Sequence, residues 1–296
     1  MFKKNIFFGI IVLILATLYL CNPCAAKDKI VIGQAFSLSG PLASGAAVSS
    51  GPFYELWVKD VNSKGGIYVE EYGKKLPVEL IRYDDKSDVG TMTKLLERLI
   101  MEDKVDFVFP PWSTAMLYAA APICNKHKYI LIGGAGGAEK LKELSLPYFF
   151  QVLNCAGTQM PALADIFAEV GVKSAAVIYR GDLHGIEYSE FSVPAFKEKG
   201  IDVKMVESYP PGIKDLSALM KEAKAKDVDA FVVHGYPDAT MLAHVVPSLD
   251  LNPFNSYDDV DFTYKVDWDA ILRGAPSTSR PSGVSPNVIS VVSVSD

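Results

Sequence analysis

Basic charge is scarce in this chain. Its 29 Lys and Arg are outnumbered by 35 Asp and Glu, for a formal net charge of −6. Nucleic-acid affinity comes from neutralising phosphates with Lys and Arg, so nucleic acid is not an expected partner. Histidine is scarcer still. His127, His184, His234 and His244 show no paired metal-ligand spacing, which argues against a zinc site. No Walker loop and no G-x-S-x-G elbow occurs. The glycine run Gly133–Gly137 lacks the G-x-G-x-x-G spacing and an acidic partner at the next strand end, so it does not read as a dinucleotide site. Ser113 has no evident base to make it a nucleophile. No catalytic constellation is present, and no cofactor is expected.

Long apolar runs are confined to the start of the chain. Lys3 and Lys4 precede Ile6 to Leu20, an apolar run broken only by Gly9 and Thr17, and Cys24-Ala25-Ala26 offers small residues for cleavage. This is the layout of a secretory signal peptide over residues 1–26. A membrane anchor is the alternative, but the run falls short of the ~20 residues a spanning helix needs. Lipid attachment at Cys21 is disfavoured by bulky Tyr19 and Leu20 before it. Removing two lysines and no acid takes the net charge to about −8. The mature chain is expected to be extracytoplasmic, and its length suits two lobes of ~100–150 residues each. Of the four cysteines, Cys124 and Cys155 remain. An oxidising compartment permits a bridge, but spacing alone does not bring them together. The alternative is two small buried hydrophobes.

From Ile30 the chain alternates strand and helix. Ile30–Phe36, Val78–Tyr83, Val105–Phe109, Tyr129–Ile132 and Tyr148–Val152 read as strands. Ser37–Ser50 reads as a small-residue loop. A helix carries Phe53, Leu56, Trp57 and Val61 at 3.6-residue spacing and stops at Gly65-Gly66. A second helix, capped by Ser87 or Asp88, carries Met92, Leu95, Leu96, Leu99 and Ile100. An alanine-rich third helix ends at His127. The grammar restarts at Pro161, with strands at Ala175–Tyr179, Val203–Tyr209 and Ala230–Val233 and helices through Phe167, Phe196 and Met220. Met241 to Val246 marks one more helix. The expected fold is α/β, with parallel sheets joined by helical crossovers in two Rossmann-like lobes. The first lobe is placed at 27–153 and the second at 154–250. Residues 251–296 break the pattern. This tail is expected to be poorly ordered, with Val288–Val294 a candidate edge strand.

Ligands of open α/β sheets sit outside the carboxyl ends of the strands. That rule nominates Ser37, Ser39, Ser44, Trp112, Ser113, Thr114 and the Gly133–Gly137 segment, which includes Gly136 and Gly137, from the first half. From the second half it nominates Asp182, His184 and Tyr236. Hydroxyls and free N–H groups at helix starts suit a carboxylate, and aromatic rings suit the apolar part of a small solute. Each residue also has a structural reading: Ser113-Thr114 as a helix cap, Trp112 as core, His184 as surface. Asp84-Asp85 reads as turn and hinge chemistry rather than an acid–base pair.

Ser39-Gly40-Pro41, Asn62-x-x-Gly65-Gly66-Ile67, Leu80-x-x-Tyr83-Asp84-Asp85, and Ser113 with Ala121-Pro122 come in an order and spacing that resemble the periplasmic leucine/isoleucine/valine-binding proteins, over about Lys29 to Ser248. The resemblance implies a type I solute-binding component of an ABC importer, two lobes closing by a hinge on an amino acid or related small carboxylate, and an inner-membrane permease as partner. It casts Ser113 as the serine that binds the solute carboxylate, Gly136 and Gly137 as the next ligand-facing segment, and His184 and Tyr236 as aromatic contacts. Family members often carry Ala with Ser or Thr at that glycine segment, so ordinary α-amino-acid recognition is not implied. The acidic residue that would hold an amino group falls beyond the matching region. Members also continue past the point where this chain turns into a dissimilar tail, so an incomplete or frameshifted frame is expected. The competing class is a stand-alone ligand-sensing module of the same fold. No motif favours an enzyme.

Overall fold

A computed structural model describes residues 27–236 and the backbone of 289–293. The expectations for the signal segment, the helix near Met241 and the rest of the tail lie outside the described residues.

The apolar run Ile30–Phe36 forms β1 and is buried along nearly its whole length, as a central parallel strand must be. It lies between β4 (Val78–Asp84) and β5 (Phe107–Val108), parallel to both. The third expected strand, Val105–Phe109, shrinks to two residues. Pro110 and Pro111 carry no N–H to continue the ladder, and the last bond is donated by Phe109 N–H to the Gly33 carbonyl. A short antiparallel hairpin, β2 (Ile67–Val69) with β3 (Lys74–Leu76), sits beside β4 in sequence and was not foreseen. Strands β6 (Leu131–Gly133) and β7 (Phe149–Gln151) pair in parallel.

Helices flank these strands. The expected loop at Ser37–Ser50 contains a short helix, α1 (Ala43–Val48). Helix α2 (Gly51–Ser63) follows it. Helix α3 (Val89–Met101) is capped by Asp88, whose carboxylate accepts from Thr91 N–H, and it buries Met92, Leu96, Leu99 and Ile100. Helix α4 (Thr114–Lys126) buries Met116, Leu117, Ala120, Ala121 and Cys124. The one-turn helix α5 (Lys140–Glu143) leads to β7. Cys124 and Cys155 are both free and buried, which is the small-hydrophobe reading and not a bridge.

Helix α2 departs from its apolar pattern. Its period is helical, yet Phe53 and Leu56 are 66% and 63% exposed. Phe107, Ile132, Phe150 and Val152 are exposed too, while their neighbours Val108 and Leu131 are buried. Periodicity specifies the element but not whether a partner covers its face.

The second sheet has the order β11-β10-β8-β9. Strands β8 (Ser174–Arg180), β9 (Asp202–Tyr209) and β10 (Ala230–His234) are parallel. The edge strand β11 (Ile289–Ser293) is antiparallel to β10, as the valine-rich run had allowed. Helix α6 (Ala156–Glu169) starts before the expected Pro161 and contains it. Helix α7 (Leu183–Glu198) packs on α6 through stacked Phe167 and Phe196, with centroids 5.1 Å apart. Helix α8 (Ser217–Ala225) buries Met220 and Ala223 on the other side, against Ala176, Ile178 and Val233.

The expected glycine stop after α2 divides its work unequally. Gly65 (φ +86°) is 3.5 Å from its nearest neighbour by an added Cβ, whereas at Gly66 (φ +95°) a Cβ would lie 2.1 Å from the Leu76 carbonyl oxygen. Gly65→Ala should cost about 1–2 kcal/mol of backbone strain. Gly66→Ala adds a backbone clash and should cost more. Urea unfolding of both variants checks this, and equal losses would contradict it.

Candidate functional site

Three strand ends converge. β5 runs through Pro110-Pro111 into Trp112 and the start of α4, β8 ends at Arg180 before α7, and β10 ends at His234 before Gly235 and Tyr236. Trp112, Ser113, Thr114, Gly137, His184 and Tyr236, all sequence candidates, are brought together there.

Ser113 is the N-cap of α4. Its Oγ accepts from Met116 N–H at 3.3 Å, so the capping reading holds. Its backbone, at φ 121°, ψ 160°, lies where glycine alone is comfortable, a strain of about 1–3 kcal/mol. Thr114 N–H, the first of the helix donors without an intrahelical acceptor, donates to the Tyr236 phenolic oxygen over a long 3.4 Å. Thr114 Oγ1 accepts from Gly137 N–H at 3.2 Å.

Trp112 joins both of its readings. It is buried in the core, its Nε1–H donates to Ser49 Oγ at 2.6 Å, and its ring sits 5.2 Å from that of Tyr236. Gly45 admits it, since a Cβ there would fall 2.2 Å from the indole. His184 is not a surface residue: it is 3% exposed and stacks on Tyr236 at 5.1 Å and 21°. On its other side stands Tyr188, at 4.1 Å. The Arg180 guanidinium lies 4.8 Å from the Tyr236 centroid, within cation–π range. Its Nε pairs with Asp182 Oδ2 at 2.9 Å, while Asp182 Oδ1 caps α7 through Gly185 N–H.

Gly137 is where Tyr188 enters. A Cβ on Gly137 would lie 2.2 Å from the Tyr188 oxygen. Gly136 faces inward instead, where a Cβ would meet Leu141, Leu117 and Thr114. Ser39 stands apart from the group. It is exposed, its hydroxyl donates to Asp84 Oδ2, and its carbonyl accepts from Ser87. Asp84 and Asp85 gather backbone and hydroxyl donors from residues 37–39 and 86–87, the turn role expected of them. Sequence reasoning missed Arg180, Tyr188 and Glu187. A charged residue closing the otherwise apolar β8 run was the available signal for Arg180. Glu187 on α7 accepts from the N–H groups of Glu139 and Lys140, and Glu139 in turn accepts from Gly157 N–H. Nothing in their spacing announces that exchange.

Burial holds His184 at a pKa of about 3, assisted by the Arg180 charge and opposed by a hydrogen bond to the Gly235 backbone. Burial, then His184, holds His234 at about 3 as well. His234 Nε2 shares a 2.8 Å hydrogen bond with Ser192 Oγ. Both imidazoles are therefore neutral at pH 7. Below the ordinary value of 6.5 the unfolded chain takes up protons that the folded chain refuses. Their contribution to stability is complete above that pH and falls as pH drops towards 3. At pH 5 each should cost about 2 kcal/mol. Urea unfolding at pH 7.5 and pH 5 should show His234→Gln losing less on acidification than the parent, and equal losses would contradict the assignment.

A family model described as "periplasmic binding protein" matches residues 29–251. The type B γ-aminobutyric acid receptor subunit 1 of Mus musculus is 25% identical over 212 residues, covering 71% of this chain and 21% of the receptor. The Leu/Ile/Val-binding protein homolog 7 of Brucella suis is 24% identical over 234 residues, covering 75% of this chain and 56% of that protein. The chain thus spans about half the length of the bacterial relative and less of the receptor. An ABC-transporter solute-binding protein of Rhodopseudomonas palustris BisB5, solved with 3,4-dihydroxybenzoic acid, superposes with a TM-score of 0.60 at 25% identity, over 70% of this chain and 54% of that one. The parallel-sheet α/β architecture is that of type I periplasmic binding proteins, as the sequence led one to expect. Among the described residues, no helix is long and apolar enough to cross a membrane.

Proposed function

Because the chain belongs to the periplasmic binding protein family, we propose that it captures a small carboxylate outside the cytoplasm and delivers it to an inner-membrane ABC permease. In this reading residues 1–26 are a cleaved export signal. Residues 27–153 and 154–250 are the two lobes, and the solute binds between them at Trp112, Ser113, Thr114, Gly137 and His184, the residues that surround Tyr236. Ser39 and Gly136 shape the surrounding loops.

The observation that carries the reading is the start of α4. Its first N–H, that of Thr114, meets an oxygen supplied from across the site rather than a protein carboxylate. A helix N-terminus with a hydroxyl beside it suits an anionic oxygen. The relatives fit this coarse class, since γ-aminobutyric acid, leucine, isoleucine, valine and dihydroxybenzoic acid, the compounds their names and complexes give, are all carboxylates. The receptor relative supports a second reading, a ligand sensor without a permease. Uptake of the identified carboxylate by cells lacking this protein separates the two: lost uptake fits an importer component, and unchanged uptake fits a sensor.

Mass spectrometry of solute co-purified with the exported protein tests the proposal. A carboxylate is expected, and a neutral sugar or a bare polyamine would overturn it. Ser113 gives a sharper check. Ser113→Gly removes the hydroxyl but relaxes the strained backbone, so its melting temperature should match or exceed that of Ser113→Ala. Ser113→Ala keeps the strain and loses a cap worth ~0.5–2 kcal/mol. Both should weaken binding of the co-purified carboxylate about 10- to 150-fold, the effect of one hydrogen bond to a charged group. Calorimetric titration beside a melting curve reads both quantities. Undiminished affinity would reduce Ser113 to a cap.

A further inference from the structure

The described site is already occupied, and its occupant belongs to the protein. Tyr236 is 3% exposed. Its ring stacks on His184 at 5.1 Å and meets the tilted Trp112 ring at 5.2 Å, with Arg180 4.8 Å from its centroid, and its oxygen accepts from Thr114 N–H. The ring and its oxygen have three kinds of contact. These are ring–ring distances in the stacking range, a cation over the ring, and a helix N-terminus at the oxygen.

We propose that the site takes a planar aromatic carboxylate, and that Tyr236 is an internal stand-in which the solute displaces. The proposal rests on the capture reading and names the chemical class for it.

The charge around Tyr236 is that of an ion pair. Arg180 brings a positive charge. Asp182 is committed through one oxygen to Arg180 and through the other to the cap of α7. Glu187 is committed to the backbone of Glu139 and Lys140. Burial raises the pKa of the Tyr236 phenol, the Asp182 charge raises it further and the Arg180 charge opposes both, so the ion pair favours neither sign of solute charge over the other. His184 is neutral and offers a flat ring face. An aromatic acid gains both the stack on His184 and the helix start at Thr114, whereas an aliphatic amino acid gains only the second. Its carboxylate is also a better acceptor for Thr114 N–H than a neutral phenol at 3.4 Å, because hydrogen bonds to charged groups are the stronger ones. That difference is what lets the solute replace the side chain.

Benzoate, 4-hydroxybenzoate and L-leucine are the probes, titrated calorimetrically into the parent chain and into Tyr236→Phe, with melting curves to establish that each is folded. The parent should bind at least one of the two benzoates about ten-fold or more tighter than leucine. Tyr236→Phe, which keeps the ring but removes the oxygen from Thr114, should bind that benzoate roughly two- to ten-fold tighter than the parent. A Tyr236→Phe that does not fold would overturn the proposal, because a side chain that the solute displaces must be dispensable to the fold. Weaker benzoate binding in the variant would make the phenol a ligand contact instead of a stand-in, and would overturn the proposal. Leucine binding tighter than both benzoates would overturn the aromatic class while leaving carboxylate capture intact. Binding of none of the three would overturn it as well, and capture itself would then be decided by the co-purified solute.

Discussion

The site depends on one constraint, the unmet donors at the start of helix α4. A helix leaves its first N–H groups without intrahelical acceptors. At this buried end, with Ser113 and Thr114 both under 3% exposed, water does not supply them. Ser113 answers one donor with its own hydroxyl and holds a backbone conformation costly for any side chain. Tyr236 answers another from the far end of β10. The helix start is thus satisfied only by importing an oxygen, and an imported oxygen is exchangeable in a way an intrahelical bond is not.

The same corner joins the two halves of the chain. Gly137 N–H donates to Thr114, and the Gly137 carbonyl accepts from Ala156 at the head of α6. Glu187 on α7 caps the backbone of residues 139–140, and Glu139 caps Gly157. Each carboxylate is buried enough to need its donors, so the two halves hold each other through reciprocal acceptors. The absent side chain at Gly137 lets Tyr188 close against this joint. Two glycines that seemed only to lack a hydroxyl thus have separate steric reasons: Gly136 for the packing of Leu141 and Leu117, Gly137 for Tyr188.

Much of this was legible in the sequence. β1 is legible to the residue because a central parallel strand is apolar throughout, and the cap of α3 is narrowed to Ser87 or Asp88, of which Asp88 is the one, because its chemistry is local. Trp112, Ser113, Thr114, His184 and Tyr236 were nominated by the rule that sites lie at strand carboxyl ends, and they do meet. What escaped was non-local. The helix at Ala43–Val48 hid in a small-residue stretch with no apolar stripe. Phe53 and Leu56 carried a helical period whose face the described structure leaves uncovered. Ser39 lay at a strand end like the others, but Asp84 claims its hydroxyl. Arg180 and Glu187 gain their meaning only from partners tens of residues away.

The central claim is that the Tyr236 oxygen serves the first donor of helix α4. The backbone amide resonance of Thr114, followed by NMR in the parent and in Tyr236→Phe, tests it most directly. The amide of Thr91, held by the Asp88 cap at 2.7 Å, is an internal reference. The account predicts that removing the phenolic oxygen moves the Thr114 resonance strongly and leaves Thr91 in place. A Thr114 amide that moves no more than Thr91 would contradict it.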